Sequence, residues 1–266
     1  MKRSVPAFRP CIDLHDGKVK QIVGGTLNSA DGAERLTTNF VSDQSPEYFA
    51  ELYRRDDLRG GHVIKLGPGN DAAAKAALAA WPGGLQIGGG ITADNAGAWL
   101  NAGADKVIVT SYVFSDGKFH PAALDNLLRA VGKQHLVLDL SCRRCPDGAY
   151  RVVTDRWKNF TTLEVNAATL DMLASSCAEF LIHAVDVEGL CAGVDEKLLA
   201  VLSRYSPIDC VYAGGVATFE DIARIEQAGL SYTIGSALDI FGGRISYAAV
   251  AAHSRAMTGF NPQQGQ

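Results

Sequence analysis

One internal repeat limits what this chain can become. Leu85-Gln86-Ile87-Gly88-Gly89-Gly90-Ile91 returns as Cys210-Val211-Tyr212-Ala213-Gly214-Gly215-Val216, an offset of 125 residues from Gly89 to Gly214. The next unit keeps that offset, with Val107-Ile108-Val109-Thr110-Ser111-Tyr112 answered by Tyr232-Thr233-Ile234-Gly235-Ser236-Ala237. Asp13 in Ile12-Asp13-Leu14 and Asp139 in Leu138-Asp139-Leu140 stand 126 residues apart, each closing an apolar run. Glycine pairs are frequent in a chain with 28 glycines among 266 residues, so each match alone is weak. Three in nearly one register mark two related halves, about 9–133 and 134–257.

The halves are built from βα units. Short Val/Ile-rich runs predict strands at Cys11–Leu14, His62–Leu66, Leu85–Ile87, Lys106–Val109, Leu136–Leu140, Phe180–Ala184, Cys210–Tyr212 and Tyr232–Ile234. Ala- and Leu-rich helical segments follow, beginning near Pro46, Asp71, Asp94, Pro121, Asn166, Asp195, Thr218 and Ser246, several of them N-cap or first-turn residue types. Eight such units in this length close most naturally into a (βα)8 TIM barrel spanning 1–266 as a single domain, with its active site at the C-terminal strand ends. An open doubly wound sheet is the alternative.

Composition narrows the partners. With 25 basic and 29 acidic residues the formal net charge is −4, so the basic surface that would neutralise a polynucleotide is missing. No window reaches the ~18 consecutive apolar residues of a membrane span. The start Met1-Lys2-Arg3-Ser4-Val5-Pro6 lacks the apolar stretch of a secretory signal, and the polar tail from Thr258 to Gln266 is expected to fray. Six dispersed cysteines read as buried free thiols of a reducing compartment, hence a cytoplasmic protein, expected to be a monomer.

The repeated residues carry chemistry. A Gly-Gly after a strand lets backbone approach an anion, and a helix starting just beyond aims N–H groups at it, which makes phosphate the natural ligand. Gly89-Gly90 with Thr110-Ser111, and Gly214-Gly215 with Gly235-Ser236, would form two such nests across a barrel mouth. That implies a small bisphosphorylated ligand; the competing reading is that these glycines only make tight turns. Asp13 and Asp139 fall on strands 1 and 5, diametrically opposed, which suits one general base and one general acid, although a single such Asp is more often a cap.

Other polar features weigh less. Cys142-Arg143-Arg144-Cys145 has no second C-x-x-C to complete a zinc site, and Gly88-Gly89-Gly90 lacks the spacing of a nucleotide fingerprint. His62 and His183 read as satisfied barrel histidines before general acids. Pro146-Asp147-Gly148 and the alternating run Ala149–Val153 predict a hairpin inserted after strand 5, carrying Trp157 as a packing or a functional aromatic.

Cys11-Ile12-Asp13-Leu14-His15-Asp16-Gly17-Lys18-Val19-Lys20, Gln86–Ile91, Val137–Leu140, Val211–Val216 and Gly235–Leu238 together resemble the ProFAR isomerases of histidine biosynthesis, over roughly residues 9–255. Phe180–Cys191 and Ala237–Gly243 look especially like the eukaryotic, fungal-type branch. The resemblance implies a two-fold (βα)8 barrel that converts an aminoaldose to an aminoketose, an Amadori rearrangement, with neither metal nor organic cofactor. It places the proton acceptor on Asp13 and the proton donor on Asp139. It also places the phosphates on Gly89, Gly90, Thr110, Ser111, Gly214, Gly215, Gly235 and Ser236, and a stacking aromatic on Trp157.

Thr92 and Ala184 depart from the bacterial pattern, so nothing is carried over to them. The acidic loop Asp186-Val187-Glu188-Gly189 leaves open which carboxylate faces the ligand. The competing functions are the cyclase of imidazole glycerol phosphate synthase, which needs ammonia from a glutaminase segment not recognised here, and a non-catalytic phosphosugar-binding barrel, which needs no opposed aspartates.

Overall fold

The computed structural model describes residues 4–22 and 38–259; residues 1–3 of the basic start and 260–266 of the polar tail lie outside the described residues. Eight parallel strands pair in chain order: β1 Cys11–His15, β2 Gly61–Lys65, β3 Leu85–Gly88, β4 Val107–Val109, β5 Leu136–Asp139, β6 Glu179–His183, β7 Asp209–Ala213 and β8 Ser231–Tyr232. β8 returns to the start of the chain through the parallel bridge of Phe8 with Tyr232. The Arg9 N–H donates to the Tyr232 carbonyl at 2.8 Å, and the Tyr232 N–H to the Ala7 carbonyl at 3.1 Å. This closure makes a barrel and excludes the open sheet. The helices are α1 Pro46–Arg55, α2 Asp71–Ala80, α3 Ala93–Asn101, α4 Pro121–Val131, α5 Ala167–Ala174, α6 Glu196–Tyr205, α7 Phe219–Gln227 and α8 Tyr247–Thr258. Among the described residues no helix is long and apolar enough to cross a membrane.

The period-two alternation of each strand divides the core in two. Ile108, Val137, Leu181, Val211 and Ala213 form a separate cluster inside the ring. Their chain neighbours, such as Val107, Leu136, Leu138, Phe180, Ile182 and Tyr212, join the larger apolar layer with the helices. The interior also holds one polar crosslink, where the Gln86 amide of β3 donates to Glu179 of β6 at 3.0 Å with both residues buried.

The helix starts follow the residue types that announced them. Ser45, Asn166, Asp195 and Ser246 are N-caps whose side chains accept first-turn N–H groups. Thr92 and Thr218 head capping boxes with Asn95 and Asp221, so α3 starts at Ala93, one residue before the expected Asp94. Several strands stop short of their predicted ends, β8 at Tyr232 instead of Ile234, because those apolar residues turn out of the ladder into the βα loops.

Outside the ring, Lys18–Ile22 and Thr38–Val41 extend β1 as antiparallel strands that composition did not reveal. The predicted hairpin is part of a three-stranded antiparallel sheet, Cys142–Arg144, Tyr150–Thr154 and Asn159–Glu164.

Truncating one side of the interior crosslink tests this packing. Gln86→Leu leaves a buried carboxyl of Glu179 without its donor and is expected to lower unfolding free energy by about 1–3 kcal/mol. Adding Glu179→Leu removes the orphan and should recover most of that loss in a urea titration.

Candidate active site

The inward register that fills the ring with Val137 and Leu181 brings polar residues to the C-terminal strand ends. There a cavity of about 800 Å³ opens, within the range of small-molecule sites. Its lining includes Asp13, Gly89, Gly90, Thr110, Ser111, Asp139, Trp157, Gly214, Gly215, Gly235 and Ser236, so the structure brings all eleven residues singled out in the sequence around one space. Asp13 on β1 and Asp139 on β5 stand four strands apart in a ring of eight.

The two glycine turns have related backbones but different surroundings. Gly89, Gly90, Gly214 and Gly215 all have φ between +68° and +122°, the left-handed region that favours glycine. A Cβ on Gly89 would sit 2.1 Å from the Lys65 carbonyl oxygen, and one on Gly215 2.1 Å from that of Gly193, whereas one on Gly90 would meet nothing within 4 Å. The second turn is therefore covered by the β6–α6 loop, whose Gly193 N–H donates to the Gly215 carbonyl at 2.9 Å. Backbone N–H groups of Gly90, Ile91 and Ser111 in one half, and of Gly215, Val216 and Ser236 in the other, have no acceptor among the described residues. With α3 and α7 starting just beyond, each half offers an unfilled amide nest to an anion. The Thr110 hydroxyl, expected at the first nest, donates to Asp139 at 3.2 Å.

The two aspartates are equipped differently. Burial pushes Asp13 up to about 6, although hydrogen bonds from Cys11 and Gln21 favour its ionised form. The Gln21 amide holds Asp13 Oδ2 at 3.0 Å, and it reaches there past Gly235, where a Cβ would stand 2.3 Å from the Gln21 Oε1. Asp139 accepts from Thr110, from Ser141 at 3.4 Å and from His183 Nδ1 at 2.9 Å. Burial works against a charge on His183, and the adjacent Asp139 carboxylate overrides it, holding the imidazolium up to about 9. His62, by contrast, is held neutral by burial and by the charge of His183, down to about 3.

Gln21 and the His183–Asp139 pair were missed in the sequence. Gln21 is buried two residues after buried Val19, so a polar residue in an inward register was the available signal. His183 is satisfied as expected, but by the candidate acid itself.

Of the two loop carboxylates, Asp186 turns away to accept from Arg143 Nε at 2.8 Å and the Arg144 N–H at 3.0 Å. Glu188 lines the cavity, its Oε2 buried without a hydrogen-bond partner and its carboxyl raised by that burial. Trp157 lies on the turn between Tyr150–Thr154 and Asn159–Glu164, half-buried against the cavity. Cys142 and Cys145 are buried free thiols, in keeping with packing. Thr92 is occupied as a helix cap.

The glycine geometry separates folding from binding. Gly90→Ala is expected to cost about 1–2 kcal/mol of stability, the strain of a left-handed alanine, while weakening phosphorylated ligands by placing a methyl in the nest. Gly89→Ala must displace backbone and should lose clearly more stability in thermal unfolding.

Comparison with known proteins agrees with this geometry. The family model described as "Histidine biosynthesis protein" matches residues 8–245. A Neurospora crassa protein named 1-(5-phosphoribosyl)-5-((5-phosphoribosylamino)methylideneamino)imidazole-4-carboxamide isomerase is 54% identical over 242 residues, covering 89% of this chain and 93% of its own. A chloroplastic isomerase of the same name from Medicago truncatula is 52% identical over 253 residues, covering 92% of this chain and 80% of its own. The Saccharomyces cerevisiae isomerase is 47% identical over 246 residues, covering 90% and 94%. A closed βα barrel with paired glycine nests, matched over nearly its whole length, belongs to the histidine biosynthesis protein family.

Proposed function

We infer that this chain is the isomerase its relatives are named for, converting the ProFAR aminoaldose to its aminoketose, with Asp13 as proton acceptor and Asp139 as proton donor. One observation carries the reading: two carboxylates on opposed strands, one bonded by Gln21 and the other by His183, stand between two unfilled amide nests in one cavity. A substrate with a phosphoribosyl group at each end spans that space, with one phosphate on Gly89-Gly90 and Thr110-Ser111 and the other on Gly214-Gly215 and Gly235-Ser236.

The reaction needs a proton on the ribosyl ring oxygen to open the ring and then removal of the proton at C2. The His183–Asp139 pair delivers the first, the proton held on His183 passing across their 2.9 Å bond to Asp139 as Asp139 gives one to the ring oxygen. Asp13, with a proton affinity set near neutral pH by burial, removes the second. Glu188, with its unpartnered oxygen, is the β6-loop carboxylate that faces the substrate, and Trp157 stacks on the flat imidazole carboxamide. The free thiols support a cytoplasmic enzyme, and the net charge of −4 argues against a polynucleotide partner.

Incubating the purified chain with ProFAR, without ammonia, glutaminase or added metal, should yield the ketose isomer; no turnover would leave only a sugar-phosphate-binding barrel. Asp13→Asn and Asp139→Asn should each lower kcat about 10²–10⁴-fold while still binding product. Because Asp13 acts deprotonated, kcat/KM should rise through pH about 6. Because the His183–Asp139 pair acts protonated, it should fall again through about 9. A profile flat between pH 5 and 10 would contradict both roles.

Trp81 and Trp99 are buried outside the cavity, so the fluorescence change on titrating product should come from Trp157. Trp157→Phe should abolish most of it and weaken product binding. An undiminished signal with unchanged affinity would assign Trp157 to packing.

A further inference from the structure

The cavity floor holds a second constellation, of which the isomerisation uses only Asp13. Cys11 and Asp13 lie two apart on β1 and so share its inward face, and His62 pairs with Cys11 across the parallel ladder. One potential ligand atom from each of Cys11, Asp13 and His62 lies within 4.8 Å of the other two. Cys11 is 4% and His62 5% exposed, yet all three residues line the cavity. We propose that Cys11, Asp13 and His62 bind one thiophilic divalent cation of the Zn²⁺ class, and that its binding shuts the enzyme off by occupying Asp13. The inhibition, though not the binding, rests on Asp13 being the proton acceptor.

The donor set fits such an ion. One sulfur, one nitrogen and one carboxylate oxygen with a fourth direction open to the cavity is the composition of an open zinc site, and a thiol in the set disfavours Mg²⁺ and Ca²⁺. Tetrahedral ligands around zinc stand roughly 3.3–3.8 Å apart, so side-chain movement of at most about 1.5 Å brings these atoms to ligating distance.

Charge points the same way. Cys11 and His62 are buried, where a lone charge is costly. A dication bound by one thiolate, one carboxylate and a neutral imidazole is a charge-neutral buried group; the thiol proton, and that of Asp13 where present, leaves to solvent.

Two further contacts support it. No hydrogen bond within the described residues engages either ring nitrogen of His62, and the residue lines the cavity. The Gln21 amide faces both anionic donors, Asp13 Oδ2 at 3.0 Å and Cys11 Sγ at 3.7 Å, as outer-shell groups of metal sites do.

Cobalt titration of the chelator-treated full chain is the test. One equivalent of Co²⁺ should produce a thiolate-to-cobalt charge-transfer band, displaced by Zn²⁺ but not by Mg²⁺. The band should persist in Cys191→Ser, which removes the exposed thiol at the cavity, vanish in Cys11→Ser, and require at least tenfold more cobalt in His62→Gln. Folding of each variant is checked by circular dichroism. Should Cys11→Ser not fold, the ¹¹³Cd resonance of the wild type reports whether one sulfur ligates. No band, a band that survives Cys11→Ser, or a cadmium shift without sulfur would overturn the site. Zn²⁺ should also slow ProFAR turnover, reversibly by chelation. Binding with full turnover would leave the metal site standing and remove Asp13 from its role as base.

Discussion

Closure of the eight-stranded parallel ring is the constraint on which everything else in this molecule depends. Once Phe8 pairs with Tyr232 no strand has a free edge within the ring, and each side chain is committed by its register to the axis or to the helices. The axis is sealed in its middle by Ile108, Val137, Leu181 and Val211 and crosslinked by Gln86 and Glu179. Above that layer the inward positions line the cavity toward the C-terminal strand ends. Asp13, Gly88, Thr110, Asp139, His183 and Gly235 occupy or adjoin those positions, so the chemistry sits where the packing ends.

The repeat supplies equivalent aspartates, and their neighbours make them unequal. In the ladder Asp13 pairs with Ile64 and Asp139 with Leu181, an equivalent arrangement in the two halves. Relative to those partners, His62 lies two residues toward the strand start and His183 two residues toward the strand end. The imidazole on β2 is thereby sunk beneath Asp13 and kept neutral, while the one on β6 rises to bond Asp139 and keeps a proton. A displacement along the strand gives the two carboxylates different surroundings without changing them, the general way in which environment can fit two like groups to opposite tasks. The glycine nests diverge similarly, since the β6–α6 loop packs over Gly215 while Gly90 stays open.

Features written in local pattern were legible in the sequence. Val/Ile runs and Ser, Asn, Asp or Thr caps located all eight units to within about two residues, and the offset of 125 located the nests and the opposed aspartates. What depends on side chains meeting from distant segments was not legible. Gln21 supports Asp13 only because a short antiparallel strand folds back beside β1, and the choice between Asp186 and Glu188 turns on Arg143 capturing Asp186. Thr110 looked like a phosphate hydroxyl because its repeat partner is Gly235, and only the fold shows Asp139 within its reach.

The turn that carries Trp157 shows how such a distant arrangement is held. Asp155, Arg156 and Trp157 all have φ between +56° and +67°, a left-handed run without glycine, which costs roughly 1–2 kcal/mol per residue. Hydrogen bonds offset the strain. Asp155 accepts from the Asn159 amide at 2.8 Å and from the Asp116 N–H at 3.2 Å, and the Thr154 hydroxyl accepts from the Gly117 N–H at 2.9 Å. The turn is thus docked on the small hairpin Phe114–Ser115 and Lys118–Phe119 that follows β4. An aromatic whose task was to pin this turn would be sunk as deeply as Trp81 and Trp99, at 4% and 5% exposure. Trp157 instead stays half-open on the cavity wall, held by bonds its own ring does not make, so the strained turn keeps an aromatic side chain at the cavity where packing alone would have buried it.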